Sequence, residues 1–382
     1  MTGDQLTAEA FGTVHPAYGG GSLADLLPSV AAVLGVPGTA DTLGLAPALD
    51  GVDRVAVLLV DGLGAYQMPL VTPHAPVLGE LTGRTLTSGF PSTTPVSLVT
   101  LGTGTPPGAH GIVGFTLLAP DGRIVNHIRW RDDPDPAEWQ PVPTMFERLA
   151  ARGVATAAVT RPEFEGSGLT VSAQRGARFI GASDMADLSA GMLAALQDHA
   201  VVYGYHPDLD RCGHEDGVGT PSWTEAAAGV GKLVARLVDG LPDRSALLVT
   251  ADHGQIDIPD EGRIDMATTP GLSDGVVAVA GEPRVRYVYA APGAAADVLA
   301  AWRSVFGPSA LVLTREEAID GGWYGPVLPR HAGRIGDVVV ICRDRAIALA
   351  SGWEPPTVAR LVAYHGSITA AEMTVPLLIA RR

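Results

Sequence analysis

Four short apolar runs constrain this chain more than anything else in it. Val55–Val60 (VAVLLV), Val154–Val159 (VATAAV), Ala200–Tyr205 (AVVYGY) and Ala246–Thr250 (ALLVT) are continuous rather than alternating. A strand with one wet face alternates apolar and polar residues, and a strand covered on both faces does not. These runs therefore read as parallel strands between helical layers. Segments of helical spacing lie between them, such as Pro143–Arg152 and Thr224–Asp239. Strand and helix in alternation predict an α/β fold with a mostly parallel central sheet and helices on both faces. The pattern changes after Gly254. Arg284–Ala290 reads as a strand, Ala294–Phe306 as a helix and Ala310–Thr314 as another strand, ahead of the loop-rich Asp320–Gly333 and the strand Asp337–Cys342. One domain over 1–382 is expected, with a smaller peripheral α+β lobe at about 262–335.

A chain of 382 residues can bury a sizeable core. Its 26 Lys and Arg against 41 Asp and Glu leave a formal net charge of −15. Such a surface repels polyphosphate backbones and anionic lipid, so neither a nucleic-acid polymer nor a membrane is an expected partner. No run has the ~18 apolar residues of a spanning helix. The N-terminal MTGDQLTAEAFG has no basic or apolar leader, which makes a cytoplasmic location the expectation. Cys212 and Cys342 are too few for a disulfide framework. Nothing in the sequence fixes an oligomeric state.

In open α/β sheets, ligands collect at the carboxyl ends of the strands. Asp61-Gly62 follows the first run, Ala251-Asp252-His253-Gly254 follows the fourth, and His206-Pro207-Asp208-Leu209-Asp210-Arg211-Cys212-Gly213-His214 follows the third. One Asp after a strand ordinarily caps a helix or makes a turn. Three such ends carrying Asp and His together point to a divalent metal, and His with carboxylate suits zinc. A second stretch, Gly89-Phe90-Pro91-Ser92-Thr93-Thr94-Pro95, predicts a short strand feeding a helix that starts near Pro95, with Thr94 at its N-cap. A hydroxyl at a helix N-terminus sits where phosphate binds and an alkoxide is favoured. It still needs a base or a metal to become nucleophilic.

These residues resemble the alkaline phosphatase superfamily, closest to its nucleotide pyrophosphatase/phosphodiesterase branch. The resemblance is carried in order by Asp61 in LLVDGLG, Thr94 in FPSTTP, LGTGTPPGAHGI at Leu101–Ile112, Asp210 and His214 in DRCGH, Asp252 and His253 in TADHG, and His365 in AYHGSITAAEMTVPLL. It implies two zinc ions, with manganese as the alternative. Asp61, Thr94, Asp252 and His253 would hold one, and Asp210, His214 and His365 the other. It further implies a hydrolase that cleaves a phosphodiester or nucleotide pyrophosphate bond in a small phosphate ester, such as a nucleotide, through a phosphothreonine on Thr94. Thr93 is the rival nucleophile. With three carboxylates against two divalent ions the site would be near neutral despite the acidic surface.

The chain departs from that branch where it places a phosphate-contacting Asn, because Phe115 stands at the ungapped position. Asn126, His127 and Arg129 in VNHIRW are the candidate replacements. The departure keeps a phosphomonoesterase, a phosphonate hydrolase and, from another class, a phosphotransferase or phosphomutase in view. A scaffold that binds phosphate compounds without turnover is the non-catalytic alternative. Asp208 is read as a partner for a ligand histidine or a turn former, and Cys212 as a small buried residue. Asp257 and His331 lie where they could approach the site. Trp130, Trp139, Trp323 and Tyr324 are read as core residues or as a wall for an aryl group or nucleobase.

Overall fold

The protein is described here by a computed structural model covering residues 6–382, so the first five residues of the N-terminal stretch lie outside the described residues. The strands that organise it are β1 (Arg54–Val60), β2 (Thr82–Thr87), β3 (Thr156–Thr160), β4 (Arg178–Gly181), β5 (Val201–His206), β6 (Ser245–Thr250), β7 (Val276–Glu282), β8 (Val285–Ala290), β9 (Ala310–Thr314), β10 (Val338–Cys342) and β11 (Thr374–Arg381). The main sheet has the order β2-β11-β6-β1-β5-β3-β4. β1 pairs parallel with β5 and β6, and β3 parallel with β4 and β5. β11 runs antiparallel to both β2 and β6. The expected mostly parallel sheet is therefore present, with one reversed strand. Its central strands are buried almost end to end, as their unbroken apolar runs require.

The helices that matter below are α1 (Thr94–Thr103), α2 (Asp208–Asp216), α3 (Pro221–Gly240) and α4 (Ala295–Phe306). The short strand expected just before Pro91 ends four residues earlier, at Thr87. α1 starts at Thr94, so Thr93 is its N-cap and Thr94 its first helical residue, one position from expectation. Pro95 in the first turn needs no amide donor there, which is why the helix tolerates it.

The peripheral lobe is a four-stranded antiparallel sheet of order β7-β8-β10-β9. α4 packs on it through Val298, Trp302 and Phe306, giving the lobe a separate apolar cluster that runs from Met266 to Ala350. The lobe is thus longer than 262–335, because β10 lies inside its sheet. The loop-rich stretch before β10 disguised that continuity. Among the described residues, no helix is long and apolar enough to cross a membrane.

A buried ion pair ties the lobe to the segment that follows the last candidate ligand. Arg284, in the turn between β7 and β8, donates from Nε and Nη2 to Glu372 at 2.9 and 2.6 Å, and neither side chain is exposed. Glu372 also accepts from the Ser367 amide and the Thr369 hydroxyl. Removing one member of such a pair strands the other's charge in a dry interior. Arg284→Met should therefore lower stability by about 3–5 kcal/mol. A urea-unfolding midpoint equal to wild type would show that the pair is dispensable.

Candidate metal centre

The three adjacent strands β6, β1 and β5 end in register, with Val60 opposite His206 and Leu59 opposite Thr250. Asp61, Asp252 and His253 leave those ends together, and Asp210 and His214 follow one turn later on α2. An i, i+4 pair lies on one helix face, so α2 presents both side chains in one direction. His365 arrives from the C-terminal segment, which is clasped to the residues before α1. The Ser92 amide donates to the Gly366 carbonyl at 2.9 Å and the Ser92 hydroxyl to the Ser367 carbonyl at 2.6 Å. Two glycines are required by this crowding. Gly62 has φ +74°, and a Cβ there would lie 3.0 Å from the Asp210 backbone. A Cβ on Gly254 would lie 2.0 Å from the Ala371 carbonyl oxygen.

The six side chains form two triads, Asp61–Asp252–His253 and Asp210–His214–His365. In each side chain one polar atom is held by the protein and another is left for a ligand. Asp61 Oδ2 accepts from the Tyr205 hydroxyl, while Oδ1 has no hydrogen-bond partner among the described residues. Asp252 Oδ1 accepts from the amides of Gly62 and His253 at 3.2 and 3.1 Å, while Oδ2 has none. Asp210 Oδ1 accepts from Gln255 Nε2, which leaves Oδ2 turned to His214 at 3.3 Å.

The imidazoles follow the same plan. Nδ1 of His214, His365 and His253 faces the carbonyls of Ala363, Ser92 and Gly254 at 2.7, 3.0 and 3.3 Å. Those contacts place the proton on Nδ1 and make each Nε2 a lone-pair donor for a metal.

The spacing of these free atoms tests whether a cation fits. His214 Nε2 and His365 Nε2 face each other at 3.2 Å. His253 Nε2 lies 3.4 Å from Asp61 Oδ1, 3.4 Å from Asp252 Oδ2 and 3.1 Å from Thr94 Oγ1. Ligands about 2.0–2.1 Å from a tetrahedral zinc are about 3.3 Å from one another. Two imidazole lone pairs at that separation repel unless a cation lies between them. Burial, helped by His253 and His214, holds His365 well below the usual histidine range. Burial likewise lowers His253.

The carboxyls move the other way. Burial, then repulsion from Asp252 and Asp210, pushes Asp61 well above the carboxylate range, and burial raises Asp210 and Asp252 as well. Neutral imidazoles and mutually repelling carboxyls are what a divalent cation relieves.

Thr94 adjoins the first triad at the start of α1, where first-turn amides have no partner within the helix. Its hydroxyl meets His253 instead of capping the helix. Thr93, the N-cap, has a buried hydroxyl without a hydrogen-bond partner among the described residues.

The remaining candidates separate clearly. His127 is built into the protein, with Nδ1 on the Gly114 and Phe115 carbonyls and Nε2 accepting from Trp139 Nε1 at 3.1 Å, so it has no atom left for phosphate. Asn126 and Arg129 do line a cavity of about 490 Å3 beside the second triad, together with His214 and His365. Phe115 is on the same wall. Asp208 pairs with Arg161 at 2.6 Å and not with a candidate ligand histidine. Asp257 holds the Val218 amide at 2.9 Å, and both nitrogens of His331 are engaged by Gly108 and Arg330. Cys212 is buried and free. Trp130, Trp139, Trp323 and Tyr324 belong to the core.

The structure adds residues that the sequence does not single out. Tyr205 and Gln255 orient Asp61 and Asp210, and Trp353, nearly half exposed, lines the cavity. Gln255 directly follows Asp252-His253-Gly254, a position that could have flagged it. Loss of a group that orients a metal ligand typically costs 10–100-fold in affinity. Tyr205→Phe is expected to weaken cation binding at the first triad by about that factor. Competition against a chromogenic chelator measures it, and an unchanged affinity would leave Tyr205 a packing residue only.

Residues 55–368 match the profile of the family described as type I phosphodiesterase / nucleotide pyrophosphatase. Among solved structures, the fold is similar to murine ectonucleotide pyrophosphatase/phosphodiesterase 5, with a TM-score of 0.69 and 18% identity over 85% of this chain and 87% of that one. The human form of that protein gives a TM-score of 0.69 at 17% identity over the same shares. Phosphonoacetate hydrolase from Sinorhizobium meliloti 1021, in complex with phosphonoformate, gives 0.66 at 21% identity over 86% of this chain and 90% of that one. At such identities these likenesses show the alkaline-phosphatase-like fold alone. A search of curated proteins finds no match. The family profile covers most of the chain, including Thr94 and all six side chains of the two triads, and so the chain belongs to the type I phosphodiesterase/nucleotide pyrophosphatase family of the alkaline phosphatase superfamily.

Proposed function

We propose that this protein is a two-metal phosphohydrolase that cleaves phosphodiester or nucleotide pyrophosphate bonds in small molecules through a phosphothreonine on Thr94. The observation that carries this reading is the joining of two cation-seeking triads to a helix-terminal threonine, with Thr94 Oγ1 3.1 Å from His253 Nε2. Asp61, Asp252, His253 and Thr94 would hold one cation and Asp210, His214 and His365 the other. Their nitrogen and carboxylate donors suit zinc, with manganese the alternative. When bound, two such ions supply positive charge for the attacking and departing oxygens of an in-line displacement.

The chain's own groups do the rest. Thr94 Oγ1 releases its proton to solvent and forms the new P–O bond as the ester P–O bond breaks, and the departing oxygen takes a proton from solvent and leaves as the free alcohol or phosphate. The amides at the start of α1 favour the negative charge held there. Water then displaces Thr94 from phosphorus and restores the hydroxyl. The cavity beside His214 and His365 receives the organic part of the substrate. That an inactive variant of murine ectonucleotide pyrophosphatase/phosphodiesterase 5 has been solved in complex with AMP agrees with a nucleotide-sized substrate.

A panel run on one zinc-loaded preparation tests the reading. Bis-p-nitrophenyl phosphate and p-nitrophenyl nucleotide esters should be cleaved at least about tenfold faster than p-nitrophenyl phosphate, about 1.4 kcal/mol of discrimination. The reverse order would make it a monoesterase. Preferred cleavage of phosphonoacetate would make it a phosphonate hydrolase, and phosphoryl transfer to an added alcohol a transferase.

A further inference from the structure

The cavity beside the second triad carries a carboxyl that the reaction outlined above leaves unused. Glu282 ends β7, is 7% exposed and lines the cavity with His214 and His365. Its Oε1 has no hydrogen-bond partner among the described residues, and neither has the hydroxyl of Thr93. Burial pushes the carboxyl up to about 8, and the Thr93 hydroxyl, a donor lying beside it, pulls the other way as a hydrogen bond does. On the other side, a Cβ built on Gly366 would lie 2.6 Å from Glu282 Oε1. The carboxyl therefore abuts the residue before Thr94 and the residue after His365.

Arg284, the cation nearest in sequence, is taken up by Glu372, and Arg286 is engaged as well. Its Nε donates to the Ala348 carbonyl at 2.7 Å and its Nη2 to Glu354. Farther out the cavity is apolar. Of the four large hydrophobic residues exposed among the described residues, Ile124, Ile128 and Trp353 all line it.

A buried polar group without a partner is costly, and a carboxyl accepts a hydrogen bond in either protonation state. We propose that Glu282 is a specificity-determining residue that accepts a hydrogen bond from a hydroxyl on the substrate's organic group, close to phosphorus, while the apolar surface around Trp353 covers a flat body farther out. This rests on the phosphohydrolase reading, since it needs a phosphoryl group seated at Thr94 and the second triad. A site built to pair a hydroxyl rejects the analogue that lacks it, because its own buried group is then left unpaired.

Calorimetric titration of the zinc-loaded protein with two ligands tests the proposal. Adenosine 5′-monophosphate and its 2′,3′-dideoxy analogue share base and phosphate and differ only in two hydroxyls. Wild type should bind the first about tenfold more tightly, the scale of one hydrogen bond. Glu282→Leu should bring the two affinities together. Glu282→Gln, whose amide oxygen still accepts, should keep most of the preference and so separate recognition from a folding defect. Equal affinities in wild type, a preference that survives in Glu282→Leu, or no binding of either ligand would overturn the proposal. Bis-p-nitrophenyl phosphate hydrolysis on the same preparation reports separately on the proposed function. Discrimination without hydrolysis contradicts that function and leaves the role of Glu282 standing, and hydrolysis without discrimination does the reverse.

Discussion

Replacing Thr94 by Ala should cut turnover of phosphate esters at least about a thousandfold, the scale seen when a covalent nucleophile is deleted. Metal content should stay near that of wild type, because Asp61, Asp252 and His253 remain to hold the cation and the second triad is untouched. The neighbouring threonine sharpens the test. Thr93 is the N-cap of α1 and its hydroxyl lies beside Glu282, whereas the Thr94 hydroxyl reaches His253. Thr93→Ala should therefore leave turnover within about tenfold of wild type, the loss of no more than a hydrogen bond. Protein quenched during turnover should carry a phosphoryl adduct on the peptide containing Thr94, read by mass spectrometry. If Thr93→Ala abolishes turnover and Thr94→Ala does not, the two residues exchange roles.

Chelation should abolish activity and also destabilise the protein, increasingly so as the pH rises. In the metal-free fold the pKa values of Asp61, Asp210 and Asp252 are all raised, foremost by burial. An unfolded chain releases those protons near pH 3.9. Raised folded values mean that this contribution to stability is whole below about pH 3.9 and is lost as the pH climbs through the folded pKa values. Metal binding has the opposite dependence, because the ligands must be deprotonated. The gap in Tm between zinc-loaded and chelated protein should thus widen from about pH 5 to pH 8. At a hundredfold excess of metal over its Kd, each site adds about 2.7 kcal/mol. A gap that is flat or narrows with pH would show that the carboxyls are not the groups that bind.

The parts of the site legible in the sequence are those fixed by one segment at a time. Asp61 and Asp252-His253 stand directly after unbroken apolar strands, and Asp210 and His214 share a face of α2 because of their spacing. What pairs across segments was not legible. Tyr205 reaches Asp61 only because β1 and β5 are neighbours in a register that sets Leu59 opposite Tyr205. Glu282 comes to the site because the lobe folds back against the residues around Thr93 and Gly366, and Trp353 because a loop after that lobe closes the cavity. His127 is closed to a substrate for the same reason, since its partners Gly114 and Trp139 come from different segments. The lobe's end is hard to read because two short helices, Arg315–Asp320 and Pro329–Ala332, stand between β9 and β10, which are nevertheless sheet neighbours. Residue type and spacing announce ligands, whereas the groups that aim them depend on strand pairing.

Anomalous diffraction from crystals of the zinc-loaded protein tests the central claim most directly. Two peaks are predicted in each chain. One should lie within about 2.0–2.2 Å of the free oxygens of Asp61 and Asp252 and of His253 Nε2, and the other at the same distance from Asp210 Oδ2, His214 Nε2 and His365 Nε2. A single peak, peaks elsewhere, or none would contradict the two-metal account.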